Sequence, residues 1–392
     1  MNICLLCRDL GINWGGTETF VIALAQSLAE QGHQISVVCQ ENTRNSDINL
    51  GEGVRIYRVS AALKPFIGYN MLDQWIPISE LYYSWILAKT LRSIVTLEEL
   101  DIIEDMDYFR QGFFYAQCGR VPIVMRLHGW FLKYERESKH TLRTRFIFII
   151  QSLTIRKVNR LVAVSRYMYD CVTRINWIGK IHVTDIIHNS VDVRLFKPGS
   201  VVRHRCVLFS ARMTFEKGAY VLADAIPMVL AEFPDVEFHF VGKDTVINGY
   251  PEFESYLKRK APKENIKVYG QLSQAELILR LQSSLIFVMP SQYESFGLAV
   301  LEAMACGCAV VATSIGGLME VVDSEIDGLL VRPNDPKEVA EAIGRLLKDD
   351  SLRARCASAA VLKAEEKFSP NQLVLATLNS YSAAIGKHRK RI

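Results

Sequence analysis

The chain has 392 residues, more than the roughly 250–300 that one hydrophobic core usually serves, so two domains with a cleft between them are expected. With 49% hydrophobic residues, 22% charged residues and a net charge of +4, the composition is that of an ordinary, mildly basic globular protein. It does not call for a nucleic-acid partner, because Lys and Arg are spread along the chain apart from concentrations at Arg143–Arg160 and in the tail Lys387–Arg391.

The opening MNICLL reads directly as a strand, Ile3–Cys7, with no basic leader, signal-length apolar core or small-residue cleavage site, so a cytoplasmic location is expected. The nine cysteines are odd in number, and pairs such as Cys4/Cys7 and Cys306/Cys308 lie in apolar segments without the second half of a zinc pattern. They read as reduced, packed thiols. Thr17–Gln31 reads as a helix with Phe20, Val21, Leu24 and Leu28 on one face, stopped by Gly32 and followed by the strand Ile35–Cys39. In the connecting loop LGINWGGTETF, Gly15 and Gly16 would let the backbone approach a ligand and present N–H groups at the helix start. A plain tight turn serves equally well there, and the spacing is not the dinucleotide fingerprint G-x-G-x-x-G.

Further strands are expected at Val54–Val59, Asp101–Glu104, Ile123–Leu127 and Arg160–Val164, with helices at about 79–97, 108–118 and 141–158. Phe66, Tyr69, Trp75, Tyr82 and Tyr83 could wall an acceptor site or simply pack in the core. His128 ends the third of these strands in MRLHGW, where a structural role is commoner than a catalytic one, although it shares a sheet edge with Gly16. The segment HTLRTRFIFIIQSLTIRK mixes basic and strongly apolar positions. It fits an interfacial helix on an anionic bilayer, or a helix whose Phe146, Ile149, Ile150 and Leu153 face the sheet. No apolar run reaches the 18 or so residues of a membrane span.

The turn-rich NSVDVRLFKPG, Asn189–Gly199, marks the domain boundary, after which alternation restarts with Val207–Ser210. Strands follow at Val236–Val241, Ile266–Tyr269, Leu285–Met289, Ala309–Ala312 and Leu329–Val331, separated by helices. Repeated βα alternation predicts an α/β protein with doubly wound parallel sheets in both halves, and ligands beyond the carboxyl ends of the strands. The domains are set at 1–192, 193–370 and a last helix with its basic tail at 371–392.

Two strand-to-helix loops of the second half carry charges suited to an anion. In SARMTFEKG, Arg212 and Lys217 could reach a phosphate, one as a planar fork and the other as a compact charge. In ESFGLAVLE, Ser295 reads as the N-cap, Phe296 and Gly297 open a helix, and the N–H groups of Gly297 and Leu298 would face an anion. Glu294 and Glu302 would then be about 80° apart around the axis and about 12 Å along it, which excludes a shared metal. Either carboxylate can accept hydrogen bonds from vicinal hydroxyls, as sugar and ribose rings require. Read singly, the four groups are equally well solvated surface charges, although Glu302 has few polar companions in LAVLEAMACG.

As an ordered set, GGTE, RLHG, VAVS, NSVDVRLFKP, ARMTFEKG, VYG, PSQYESFGLAVLEAMACG and VVATSIGG resemble the retaining glycosyltransferases of family four, which have the GT-B fold. The resemblance implies two Rossmann-like domains facing a cleft and transfer of a sugar from a nucleotide diphosphate, most naturally a UDP-sugar. Arg212 and Lys217 would hold the diphosphate, Glu302 the ribose and Glu294 the sugar, aided by N–H groups of Phe296, Gly297 and Leu298. Gly16 would approach the phosphates, His128 would line the sugar site, Gly270 would receive the base, and the last helix would cross back to the first domain. No cofactor or obligatory metal is implied. The acceptor would be a glycan, a lipid-linked sugar or a small metabolite, with possible peripheral contact with an anionic membrane. Asp105-Met106-Asp107 spells the D-x-D that holds a cation in another class of sugar transferase, but here it is read as a chance match.

Ser210 departs from the family's glycine, Ala309 from a common proline, and Lys243-Asp244 from a second glycine; these bear on base and sugar selection. The rival expectations are a catalytically inactive paralogue that binds nucleotide sugars and a nicotinamide-dependent oxidoreductase, the latter without its glycine fingerprint.

Overall fold

The computed structural model describes residues 1–8, 10, 16–41, 49–60, 73, 75–107, 111–129, 141–174, 183–244 and 252–389. It falls into two compact units, Met1–Asn189 together with Pro370–Ile392, and Ser190–Ser369. In chain order the first unit carries β1 (Asn2–Leu6), α1 (Gly16–Glu30), β2 (Gln34–Gln40), β3 (Val54–Val59), α2 (Ile78–Leu97) and β4 (Ile102–Met106). It continues with α3 (Phe113–Cys118), β5 (Ile123–Leu127), α4 (Leu142–Lys157), β6 (Arg160–Ala163), α5 (Arg166–Thr173) and β7 (Asp185–Ile186).

These strands form one parallel sheet in the order β3-β2-β1-β4-β5-β6-β7. Parallel strands joined by helical crossovers are covered on both faces, which is why β1, β4 and β5 are buried almost throughout, even where β4 carries Glu104 and Asp105 and β5 carries Arg126. The period of two sorts their side chains. Ile3 and Leu5 pack with Phe20, Leu24 and Leu28 of α1, while Cys4 and Leu6 pack with Tyr83, Leu87 and Leu91 of α2.

The second unit runs β8 (His204–Ser210), α6 (Ala219–Glu232), β9 (Glu237–Val241), α7 (Phe253–Leu257), β10 (Ile266–Val268), α8 (Gln274–Ser283), β11 (Ser284–Met289) and α9 (Leu298–Ala305). It ends with β12 (Ala309–Thr313), α10 (Leu318–Val321), β13 (Leu329–Val331), α11 (Pro336–Lys348) and α12 (Asp350–Lys367). Its six parallel strands have the order β10-β9-β8-β11-β12-β13, so the winding direction reverses between β8 and β11.

The last helix, α13 (Pro370–Arg389), belongs to the first unit. Leu373, Val374, Tyr381 and Ala384 enter the α1 side of its core. Beneath them lies a buried ion pair, Arg126 Nε to Glu104 Oε1 at 2.7 Å, with Tyr381 Oη donating to Glu104 Oε2 at 2.6 Å and Arg126 Nη2 to Thr377 Oγ1 at 3.1 Å.

Some expectations need correction. The helix read over 108–118 is Phe113–Cys118 among the described residues, and the short α5 and β7 were not foreseen. The apolar positions of α4 do not act together: Ile150 packs inward, whereas Phe146, Ile149 and Leu153 are exposed. All nine cysteines are free, but Cys118 is exposed rather than packed. Phe66 and Tyr69 lie outside the described residues, while Tyr83 is buried and Trp75 exposed. Among the described residues, no helix is long and apolar enough to cross a membrane.

Candidate active site

The loops after β8 and β11 flank the point where the second sheet reverses direction, the place where open α/β sheets receive ligands. Gln292 N–H donates to the Glu216 carbonyl at 2.9 Å, tying the two loops together. Gly218 makes this possible: at φ +79° it lies so close to Pro290 that an added Cβ would stand 2.0 Å from the Pro290 carbonyl oxygen. Lys217 Nζ thereby reaches Glu294 Oε2 at 2.6 Å, joining residues 77 positions apart in the sequence.

Arg212 stands one residue before Met213, whose N–H donates to the Lys243 carbonyl at 3.0 Å. Its guanidinium is exposed and has no ion-pair partner among the described residues. Its charge is felt at the Tyr293 phenol, together with those of Lys217, Glu216 and Glu294; burial, the larger effect, pushes that phenol up. A second cation of the site is therefore unneutralised within reach of the β11 loop.

The helix after β11 starts later than its sequence suggests. Gly297, at φ +107°, is the N-cap residue and Leu298 the first helical position; Ser295 does not cap it, and Phe296 and Gly297 do not open it. The reason lies in the neighbouring loop. Gly317 N–H donates to the Glu294 carbonyl at 3.0 Å, and a Cβ on Gly317 would stand 2.3 Å from the Ser295 carbonyl oxygen. That loop in turn is fixed by Thr313 Oγ1 donating to the Ser291 carbonyl at 2.6 Å. Phe296 is buried against Phe368, with ring centroids 5.7 Å apart, so it can offer a ligand only its backbone. The first amides of α9 have no intrahelical acceptor and face the strand-end side of the sheet.

Glu302 lies on the second turn of α9, partly buried, its carboxyl without a hydrogen bond or ion pair among the described residues. Desolvation pushes its carboxyl up to about 7. Gly270 closes the opposite edge: it has φ +64°, open space around its Cα, and a carbonyl that accepts from Gly242 N–H at 2.7 Å.

In the first unit Gly15 lies outside the described residues, while Gly16 is the exposed first residue of α1. His128 directly follows β5, its ring 4.8 Å from that of Phe20 on the second turn of that helix. Burial, and then the Arg126 charge, lower its imidazole to about 3, so the ring is neutral at physiological pH. Its Nε2 is buried and has no hydrogen-bond partner among the described residues.

The D-x-D carboxylates are committed to the backbone. Asp107 accepts from the N–H groups of His128 at 2.8 Å and Gly129 at 3.2 Å, and Asp105 from those of Met106 and Gly112. No cluster of His, Cys, Asp and Glu suited to a metal occurs among the described residues. The supporting roles of Gly317, Thr313 and Asp107 were missed in the sequence reading; the Thr-x-x-Gly-Gly of ATSIGG was the available signal for the first two.

Two family descriptions match in succession: Glycosyltransferase Family 4 over residues 14–195, and Glycosyl transferases group 1 over residues 193–362. The chain belongs to these glycosyltransferases, and its fold is GT-B. It is 26% identical to the glycogen synthase of Mycobacterium tuberculosis over 96% of this chain and 95% of that one. Among solved structures it is similar to a sucrose-phosphate synthase from Thermosynechococcus elongatus, with a TM-score of 0.83, 21% identity and coverage of 98% and 99%. It also resembles Anabaena HepE, solved in complex with UDP-glucose, with a TM-score of 0.76, 20% identity and coverage of 98% and 100%.

Proposed function

We propose that the chain moves a sugar from a uridine diphosphate donor to an acceptor hydroxyl, with retained anomeric configuration and without an obligatory metal or other cofactor. The acceptor would belong to a glycan, a lipid-linked intermediate or a small metabolite. The carrying observation is the Lys217–Glu294 pair between the β8 and β11 loops, with Arg212, which has no ion-pair partner among the described residues, acting on the same Tyr293 phenol. Departure of a nucleoside diphosphate builds negative charge on its phosphates, and fixed cations and helix N-terminal amides lower that barrier. Arg212 and Lys217 are the cations, the amide of Leu298 supplies the helix's dipole end, and those of Phe296 and Gly297 just before it add further donors.

Glu294 retains Oε1 for sugar hydroxyls while Lys217 holds Oε2, which orients the donor and the ammonium together. Glu302, whose carboxyl has no partner among the described residues, accepts from the ribose hydroxyls. His128, neutral, offers Nε2 to the sugar as a hydrogen-bonding group rather than as a charged acid. Gly16 and its neighbours at the start of α1 approach the phosphates, and Gly270 admits the base. The choice of uridine is supported by the HepE complex, and by nothing more specific in this chain.

The test combines the protein with UDP-sugars and acceptor hydroxyls in EDTA, with NMR reading the anomeric configuration of the product. Turnover should persist. Arg212→Ala and Lys217→Ala should each lower kcat by about 10²–10³-fold, or about 3–4 kcal/mol. Strict dependence on added Mg²⁺ or Mn²⁺ would overturn the reading. Binding of UDP-sugar without turnover would instead support an inactive paralogue.

A further inference from the structure

The outward face of α4 has no protein partner among the described residues and an unusual make-up. Leu142, Phe146, Ile149 and Leu153 are 50%, 42%, 50% and 45% exposed. At about 100° per residue they fall within about 60° of one another around the axis, along about 16 Å of its length. Arg145 and Arg156 flank this stripe on one side and Lys157 on the other; all three are exposed and without ion-pair partners among the described residues. The helix LRTRFIFIIQSLTIRK contains no acidic residue.

Beside its first turn, Arg143 donates from Nε to the Asp73 carbonyl at 2.8 Å and pairs with Glu80 at 2.5 Å. This ties the start of α4 to the segment leading into α2, where Trp75 is 56% exposed. Further along α2, Lys89 Nζ lies 3.6 Å from the ring of the exposed Trp85. Exposed aromatic rings and cations beside an apolar stripe are what a headgroup layer accommodates, because rings and cationic tips settle at the level of the phosphates.

We infer that the outer face of α4 is a docking surface for an anionic lipid bilayer, on which the helix lies parallel to the membrane plane. Four exposed apolar side chains supply partition into the acyl boundary, and three unpaired cations supply attraction to acidic headgroups. A second copy of the chain is a poorer occupant. A twofold contact through this stripe would set Arg145, Arg156 and Lys157 of one copy against the same cations of the other. The inference goes beyond the donor-site reading and does not rest on it.

Co-sedimentation of the full chain with phosphatidylglycerol-rich vesicles and with pure phosphatidylcholine vesicles tests it. The chain should pellet with the acidic vesicles at low salt, be released at high salt, and stay in solution with the neutral ones. Ile149→Ser with Leu153→Ser, and separately Arg145→Glu with Arg156→Glu, should each weaken partition about tenfold or more. These are exposed positions, so thermal unfolding and calorimetric UDP binding should be unchanged, which separates this result from the donor site. Absence of pelleting with acidic vesicles, or unaltered pelleting of both variants, would overturn the inference. So would a concentration-dependent dimer, seen by sedimentation velocity without lipid and abolished by Ile149→Ser with Leu153→Ser.

Discussion

Glu302 shows what burial without a partner does to a single carboxyl. Partly buried and with no side-chain partner among the described residues, it is held up to about 7 by desolvation, against a usual value of 4.5. Since the folded state binds this proton more tightly than the unfolded chain, its contribution is fully present below about pH 4.5 and is lost as pH rises through about 7. Above that pH the ionised group costs about 3 kcal/mol. Glu302→Gln should therefore raise the Tm of the ligand-free protein at pH 8 and leave it nearly unchanged at pH 4.5, while UDP affinity, measured by calorimetry, falls. Loss of stability at pH 8 would show that the carboxylate has a structural partner instead. His128 works in the opposite sense. With its imidazole lowered to about 3, the native state resists protonation, and stability is lost as pH falls from about 6.5 towards 3. The contrast between charged rim and apolar helix in ESFGLAVLEAMACG made Glu302 conspicuous in the sequence. Nothing local showed that Asp107 would spend its carboxylate on the amides of His128 and Gly129, because that pairing spans 21 and 22 residues.

At the scale of elements, the site is a set of strand ends held in register by glycines that cannot be replaced. Gly317 is one of them, since an added Cβ would meet the Ser295 carbonyl oxygen at 2.3 Å and the Phe296 Cα at 2.6 Å. Gly317→Ala must displace the segment that carries Glu294 and the first amides of α9. It should cost about 1–3 kcal/mol of stability and lower kcat more than it raises KM, with far-UV circular dichroism unchanged. Unaltered kcat would mean that the position of α9 is not critical. The same contact explains what the sequence could and could not reveal. Alternation gave the sheets, because buried parallel strands are short apolar runs between amphipathic helices. It gave the wrong start for α9, because Ser295 has the chemistry of an N-cap while the positive φ that begins the helix belongs to Gly297, set by packing against Leu318 and Gly317. It also missed β7, a strand of two residues recruited by its pairing with β6 rather than by any pattern of its own. On α4 a single apolar inventory hid two faces, distinguished by which positions the sheet could reach.

For the molecule as a whole, the decisive feature is that the second unit is inserted within the first: Ser190–Ser369 interrupts a unit completed by Pro370–Ile392. The first core is therefore finished by the last helix of the chain, and a polar network fixes where that helix sits. Glu104 is buried between Arg126 and Tyr381, and Arg160 joins Asp185 at 2.7 Å while Ser380 donates to the same carboxylate at 2.8 Å. A buried pair of this kind contributes little net energy when intact, but removing one partner leaves an uncompensated charge, which makes it a register pin for α13 rather than a source of bulk stability. Tyr381→Phe removes a hydrogen bond to a buried carboxylate and should cost about 1.5–3 kcal/mol. Truncation before Pro370 also strips Leu373, Val374 and Ala384 from the core and should abolish cooperative unfolding of the first unit. Arg212, Lys217, Glu294 and Glu302 lie on Ser190–Ser369, whereas Gly16 and His128 lie in the first unit that α13 completes. Calorimetry on the truncated chain should therefore still detect UDP, through Arg212, Lys217 and Glu302, while transfer to any acceptor disappears. If UDP binding were lost with the last helix, the nucleotide would have to be held chiefly by the first unit, and the assignment of its main contacts to the β8 and β11 loops would fail.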